Sequence, residues 1–161
     1  SIITASQDIS YPVSDVNKAV EFFVDKLGLK ATPVREVSGE RVEKIIGFKD
    51  LHMKISNIIT PDNGNIELIE YVKPKGTMLE LATGNTGVAH LAFTVDDVEK
   101  TYQELSAKGV KFVSAPQWAS AGALKGWGIC YFRGPDGITM EIMEAPKGVK
   151  LHPATGSPVE D

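Results

Sequence analysis

Two stretches put an acid inside an apolar, strand-favouring run: "NIELIEYV" (Asn65 to Val72) at Glu67 and "TMEIMEAP" (Thr139 to Pro146) at Glu141. A third acid, Asp8, and an imidazole, His90, open the strand-like segments "DISYPV" and "HLAFTV". Strand side chains alternate between faces. Leu91, Phe93 and Val95 form one apolar face, and His90, Ala92 and Thr94 point the other way. Ile138, Met140 and Ile142 oppose Thr139, Glu141 and Met143 in the same manner. Ile66 and Leu68 oppose Glu67, while Ile9, Tyr11 and Val13 oppose Asp8, Ser10 and Pro12. Asp8, Glu67, His90 and Glu141 are therefore all expected on faces turned away from the apolar side. Gathered on one surface, three carboxylates and an imidazole repel one another and raise their own pKa values. A divalent cation removes that penalty. Histidine with Asp or Glu is a normal donor set for Zn, Mn, Fe, Ni or Co, and the oxygen-rich mix also admits Mg. The competing reading makes each residue a solvated side chain on a half-exposed sheet. Taken singly, each fits that reading; their recurrence at matched positions is what weighs against it.

The elements that must position them occur twice. "DISYPVSDVNKAVEFFVDKLGLK" begins at Asp8 and "HLAFTVDDVEKTYQELSAKGVKF" at His90. Laid together, Val13 meets Val95, Asp15 meets Asp97, Val16 meets Val98 and Lys18 meets Lys100; Gly28 meets Gly109 after a one-residue gap. The glutamate strands align as Ile66-Glu67-Leu68-Ile69-Glu70 against Met140-Glu141-Ile142-Met143-Glu144. A two-copy match indicates a duplicated module rather than a solenoid, which needs at least three copies. Asp15 and Asp97 are good helix N-caps. Val16, Ala19, Val20, Phe23 and Leu27 lie at helical spacing, as do Val98, Tyr102 and Leu105. Strands are expected near 8–13, 31–36, 43–48, 51–58 and 65–72, then near 90–95, 110–114, 126–133 and 138–144. "PDNG" (Pro61 to Gly64) and "GPDG" (Gly134 to Gly137) mark turns. The expected organisation is a first module over 1–72, a linker over 73–87, a second module over 88–145 and a loose tail over 146–161.

Composition bounds the rest. The chain has 161 residues, 42% hydrophobic and 24% charged, with a net charge of -4. That balance argues against a nucleic-acid footprint. No apolar run reaches the roughly 18 residues of a membrane span. The single cysteine, Cys130, excludes an intramolecular disulfide framework and fits a reducing cytoplasm, the expected location.

The segments "VSDVNKAVEFFVDKLGLK", "NIELIEYVKP", "GVAHLAFTVDDVEKTYQELSAKGVKF" and "YFRGPDGITMEIME" together give the chain a family likeness. It resembles the vicinal oxygen chelate superfamily, which includes glyoxalase I, methylmalonyl-CoA epimerase, bleomycin-resistance proteins and extradiol dioxygenases. The likeness spans nearly all of 8–145. It implies an α+β fold of two tandem βαβββ modules whose curved mixed sheet forms a cup around one divalent metal ion. The ligands it implies stand on the first and last strand of each module: Asp8, Glu67, His90 and Glu141. Asp8 departs from the pattern, since that position is commonly His. A shorter Asp either ligates, binds through water, or serves as acid or base.

The implied chemistry is bidentate chelation of adjacent substrate oxygens, with proton transfer by Glu141 or, second, by Asp8. An isomerase or lyase is favoured. The alternatives are a metal-dependent hydrolase or dioxygenase of the same fold, or a non-catalytic small-molecule (antibiotic) binding resistance protein. A homodimer acting on a small molecule is expected. Trp118, Trp127, Ser10 and Thr94 are candidate substrate contacts, the tryptophans because they flank the small-residue loop "ASAGALKG" (Ala119 to Gly126). His52 is a candidate substitute imidazole. Arg35, Arg41 and Arg133 are candidate carboxylate contacts, although solvent is their ordinary partner. His152 falls in the tail and is assigned no role.

Overall fold

The structure, a computed structural model, describes residues 1–148. His152 and most of the expected tail lie outside the described residues. The chain divides into two compact units, Ser1–Glu80 and Leu81–Asp161. The fold is α+β, and each unit repeats the order strand, helix, then a run of strands.

In the first unit, β1 (Ile9–Pro12) leads into α1 (Val16–Glu21), which continues as a π-helical segment, Phe22–Lys26. Then come β2 (Lys30–Ala31), β3 (Arg35–Ser38), α2 (Glu40–Ile46), β4 (His52–Ile59) and β5 (Asn65–Lys73). The sheet runs β1-β5-β4-β2, with β3 also paired to β4. β1 lies parallel to β5 with Ser10 opposite Glu67; β4 lies antiparallel to β5 with Asn57 opposite Glu67. In the second unit, β6 (Leu91–Thr94) leads into α3 (Val98–Ala107), then β7 (Lys111–Phe112), β8 (Gln117–Trp118), β9 (Gly128–Arg133) and β10 (Thr139–Glu144). Its order is β6-β10-β9-β7, with β8 on β9. Ala92 and Tyr131 flank Glu141 just as Ser10 and Asn57 flank Glu67.

Each sheet packs one face on its helix. Val16, Ala19 and Phe23 of the first helix are buried, with Ile66 and Leu68 of β5 and Tyr11 and Val13 beside β5. Val98 and Leu105 of α3 are buried with Met140, Ile142 and Phe132. An edge-on contact of Tyr102 with Phe112 extends that packing toward Phe132. Full burial of each such side chain contributes about 1.5–3 kcal/mol.

Two local expectations are corrected. Residues 43–48 are not a strand: α2 runs Glu40–Ile46 and ends at Gly47, whose φ of 90° is left-handed. The β-branched run misleads because Val42 and Ile46 are four apart and so share a helical face, which packs on Leu51, Met53, Ile55 and Ile69. Acidic Glu40 and Glu43 in the first turn agree with the helix dipole. The single strand expected over 31–36 is two short ones either side of Pro33. Trp118 ends the short strand β8, at the start of the 119–126 loop.

Candidate functional site

On β5, odd-numbered side chains face away from α1. Glu67 stands there with Ile69 and Tyr71, opposite Asn57 and Ile55 of β4. The Ser10 hydroxyl donates to Glu67 Oε1 at 2.8 Å and lies 3.3 Å from Asp8 Oδ1, so one hydroxyl links the two acids. The other glutamate oxygen, Oε2, faces Arg35 Nη2 at 3.9 Å, an ion-pair distance. This face is not open throughout: α2 covers the Ile55 and Ile69 end.

The matching face of the second unit carries His90 and Glu141. His90 Nε2 stands 3.1 Å from Glu141 Oε1 and 3.3 Å from the Tyr131 hydroxyl. With its proton on Nε2 the imidazole donates to Glu141. With the proton on Nδ1, Nε2 accepts from the Tyr131 hydroxyl, and this tautomer carries the lone pair a metal needs. The two rings lie 5.1 Å apart, centre to centre, tilted by 43°. Glu141 is buried, 9% exposed, while His90 remains partly open. Burial, and then the nearby Glu141 carboxylate, hold the Tyr131 phenol above its ordinary pKa.

Among the described residues, no group of three or more His, Cys, Asp or Glu side chains able to hold a metal ion is found. What each unit presents is a pair: Asp8 with Glu67, and His90 with Glu141. Both pairs fit a divalent ion by type, since imidazole nitrogen and carboxylate oxygen suit Zn, Ni, Mn, Fe and Co.

The remaining sequence candidates are placed as follows. Ser10 joins Asp8 to Glu67, and Thr94 is exposed in register with Met143 of β10. Trp118 lies against Gly128, which stands in register with Glu144, and its indole N–H donates to Glu99 of α3 at 3.1 Å. That is the helix side of the sheet, where Trp118 packs. Trp127 is buried, and its backbone closes the 119–126 loop through Ala119 and Leu124. His52 pairs with Glu36, which adjoins Arg35 in β3 and so points to the other face from Glu67. Arg133 braces the second unit: its guanidinium donates to Thr139 and Thr83 side chains and to the Leu81 carbonyl. Residues 81–83 are thereby tied to β9 and β10.

Two residues with a shared role escaped the sequence reading. Glu70 Oε1 accepts the Val16 N–H and Glu144 Oε1 accepts the Val98 N–H, each at 2.9 Å. Asp15 and Asp97 accept from Lys18 and Lys100 N–H of the same helix starts. Each glutamate strand thus carries two acids three residues apart, on opposite faces. One caps a helix, and the other stands on the candidate site face. The signal was present: Glu70 and Glu144 match in the repeat and share a face with core residues, where a lone charge needs a partner.

Comparison with known proteins bears on the family and the fold. A 2-epi-5-epi-valiolone epimerase from Actinomyces sp. is 28% identical over 155 residues, covering 94% of this chain and 85% of its own. A lactoylglutathione lyase from Arabidopsis thaliana is 25% identical over 138 residues, 84% of this chain. The chain spans only 42% of that relative's length. In fold, a crystal structure of a Bacillus cereus glyoxalase family protein matches with a TM-score of 0.77 at 23% identity, covering 89% and 95% of the two chains. Glyoxalase I from Zea mays matches with a TM-score of 0.62 at 20% identity, over 86% of this chain and 43% of that one. Residues 6–142 match the description of one family along nearly the whole double module, and the chain belongs to the Glyoxalase/Bleomycin resistance protein/Dioxygenase superfamily.

Proposed function

We propose that the protein is a divalent-metal-dependent enzyme that moves a proton on a small substrate bearing adjacent oxygens, as an isomerase or lyase does. The observation that carries this reading is the His90–Glu141 pair, nitrogen to oxygen at 3.1 Å, matched by Asp8 and Glu67 at the equivalent places of the other repeat. The names of the relatives, an epimerase and lactoylglutathione lyases, support the same reaction class. His90 and Glu141 would hold the ion, and Glu67 and Asp8 offer the same donor types at the matching places of the repeat. When bound, such an ion acts as a Lewis acid toward chelated oxygens and makes the neighbouring C–H more acidic.

The chain's own residues do the rest. Glu141 is the base: a buried carboxylate that receives the substrate proton and returns it. Tyr131 packs on the His90 ring and limits its rotation. Ser10 fixes Glu67 by donating to Oε1, and Asp8 is the second acid or base. Proton exchange is the direct test. Metal-loaded protein in deuterated water is incubated with dihydroxyacetone and with hydroxylated cyclic ketones, and loss of the α-proton is followed by NMR. Exchange on at least one probe that vanishes in Glu141→Gln supports the reading. Exchange that persists unchanged in Glu141→Gln removes Glu141 as the base.

A further inference from the structure

The face of the first unit that carries Glu67 also carries a polar chain which the proposed proton transfer does not use. Asn57 Nδ2 donates to Asn65 Oδ1 at 2.9 Å, and Arg35 Nη1 donates to Asn57 Oδ1 at 2.9 Å. The backbone of Asn57 is itself fixed by Thr32: its N–H donates to Thr32 Oγ1, and its carbonyl accepts the Thr32 N–H, each at 2.9 Å. The Asn57 amide is thus engaged at both ends, and its oxygen sets the orientation of the guanidinium. Arginine presents five N–H donors in a planar fork. Here one prong is anchored on Asn57 and another faces Glu67 Oε2 at 3.9 Å, too long for a hydrogen bond. The side chain is half exposed, at 49%. An anchored, half-exposed guanidinium beside the candidate site keeps further N–H donors available to a carboxylate. Lys54 and Lys73, the other cations of these strands, have even and distal places: Lys54 stands opposite Glu70 in register, and Lys73 at the end of β5.

We propose that Arg35 is the anion-binding, specificity-determining residue of the substrate site, and that the substrate is a small molecule carrying a carboxylate besides its chelating oxygens. The proposal rests on the reading of Glu67 as part of that site. Asn57 positions Arg35 and does not itself touch the reacting atoms.

Two probes separate the terms. Lactate offers a vicinal hydroxyl and carboxylate; malate offers the same pair plus a second carboxylate. Dissociation constants for both are measured by calorimetry on wild type, Arg35→Met and Arg35→Lys, with metal content determined on each sample. Malate is expected to bind wild type about tenfold or more tightly than lactate, as a charge-assisted contact warrants. That preference is expected to collapse in Arg35→Met, with metal content unchanged, and to survive in part in Arg35→Lys. No malate preference in wild type, or a preference untouched in Arg35→Met, overturns the role of Arg35. An Arg35-dependent preference in protein that binds no ion upholds Arg35 and sinks the metal reading. A protein that takes up neither ion nor malate sinks both.

Discussion

Glu67 and Glu141 sit in sheet strands because the side they occupy faces away from the packed helix. Ser10 and His90, respectively, supply their first polar contacts. Changing either acid therefore costs chemistry more than stability. Glu141→Gln is expected to keep the fold, with a melting temperature close to wild type, while turnover falls by about a hundredfold or more, the range a positioned acid or base supplies. Tyr131→Phe removes only the hydroxyl beside His90 and keeps the ring contact. Its expected signature is unchanged folding by circular dichroism with changed His90 imidazole chemical shifts by NMR. The faces on which Glu67 and Glu141 stand were legible from strand alternation; the Tyr131 contact with His90, made across paired strands, was not. Arg35 was visible as a candidate carboxylate contact, but its neighbours were not. Asn57 meets it, and Asn65 in turn meets Asn57, through the pairing of three strands, and register between distant strands is not written in any one of them.

At the scale of elements, the two helix starts are built alike. Asp97 and Glu144 each accept an N–H of the first turn of α3, and Asp15 and Glu70 do the same for α1. Asp97→Ala is expected to lose about 1 kcal/mol, as is usual for a removed N-cap. Glu144→Gln is expected to cost less than Glu144→Ala, because the amide oxygen still accepts. The double variant Asp97→Ala, Glu144→Ala should fall short of additivity, since both serve one helix end. Urea unfolding of the four proteins measures this; a fully additive or a neutral result contradicts it. The Asp caps were readable because they adjoin their helices. The glutamates cap from 46 or more residues away, which a local reading does not reach. The helix α2 was missed for another reason: its β-branched residues favour strand locally, and the apolar cluster of β4 and β5 stabilises the helix instead.

At the scale of the molecule, the duplicated pattern carries the fold, and the matched positions of the repeat are matched in register in the two sheets. Phe23 and Phe132 are fully buried, one in each unit. Phe132→Ala is expected to destabilise by about 3–5 kcal/mol. Burial chiefly, with the Glu99 carboxylate, pushes the Cys130 thiol from 9.0 up to about 11. A group whose pKa is raised on folding stabilises fully below its unfolded pKa and loses that contribution as pH rises through the folded one. Tyr11 and Tyr131 are raised as well. Stability is thus expected to decline from about pH 9 upward, less steeply in Cys130→Ala, as urea midpoints across the alkaline range would show. Native Cys130 should resist alkylation at pH 8 and react once unfolded. Among the described residues no helix is long and apolar enough to cross a membrane.

The metal proposal is tested most directly by elemental analysis. Protein purified without chelator and exposed to Zn, Ni, Mn, Co and Fe in turn is dialysed and assayed for bound metal, alongside His90→Ala, Glu141→Gln and Glu67→Gln. The account predicts one ion per chain in wild type and an affinity lower by about tenfold or more in each variant. Wild type that retains none of the five metals, or variants that all retain it with undiminished affinity, would contradict it.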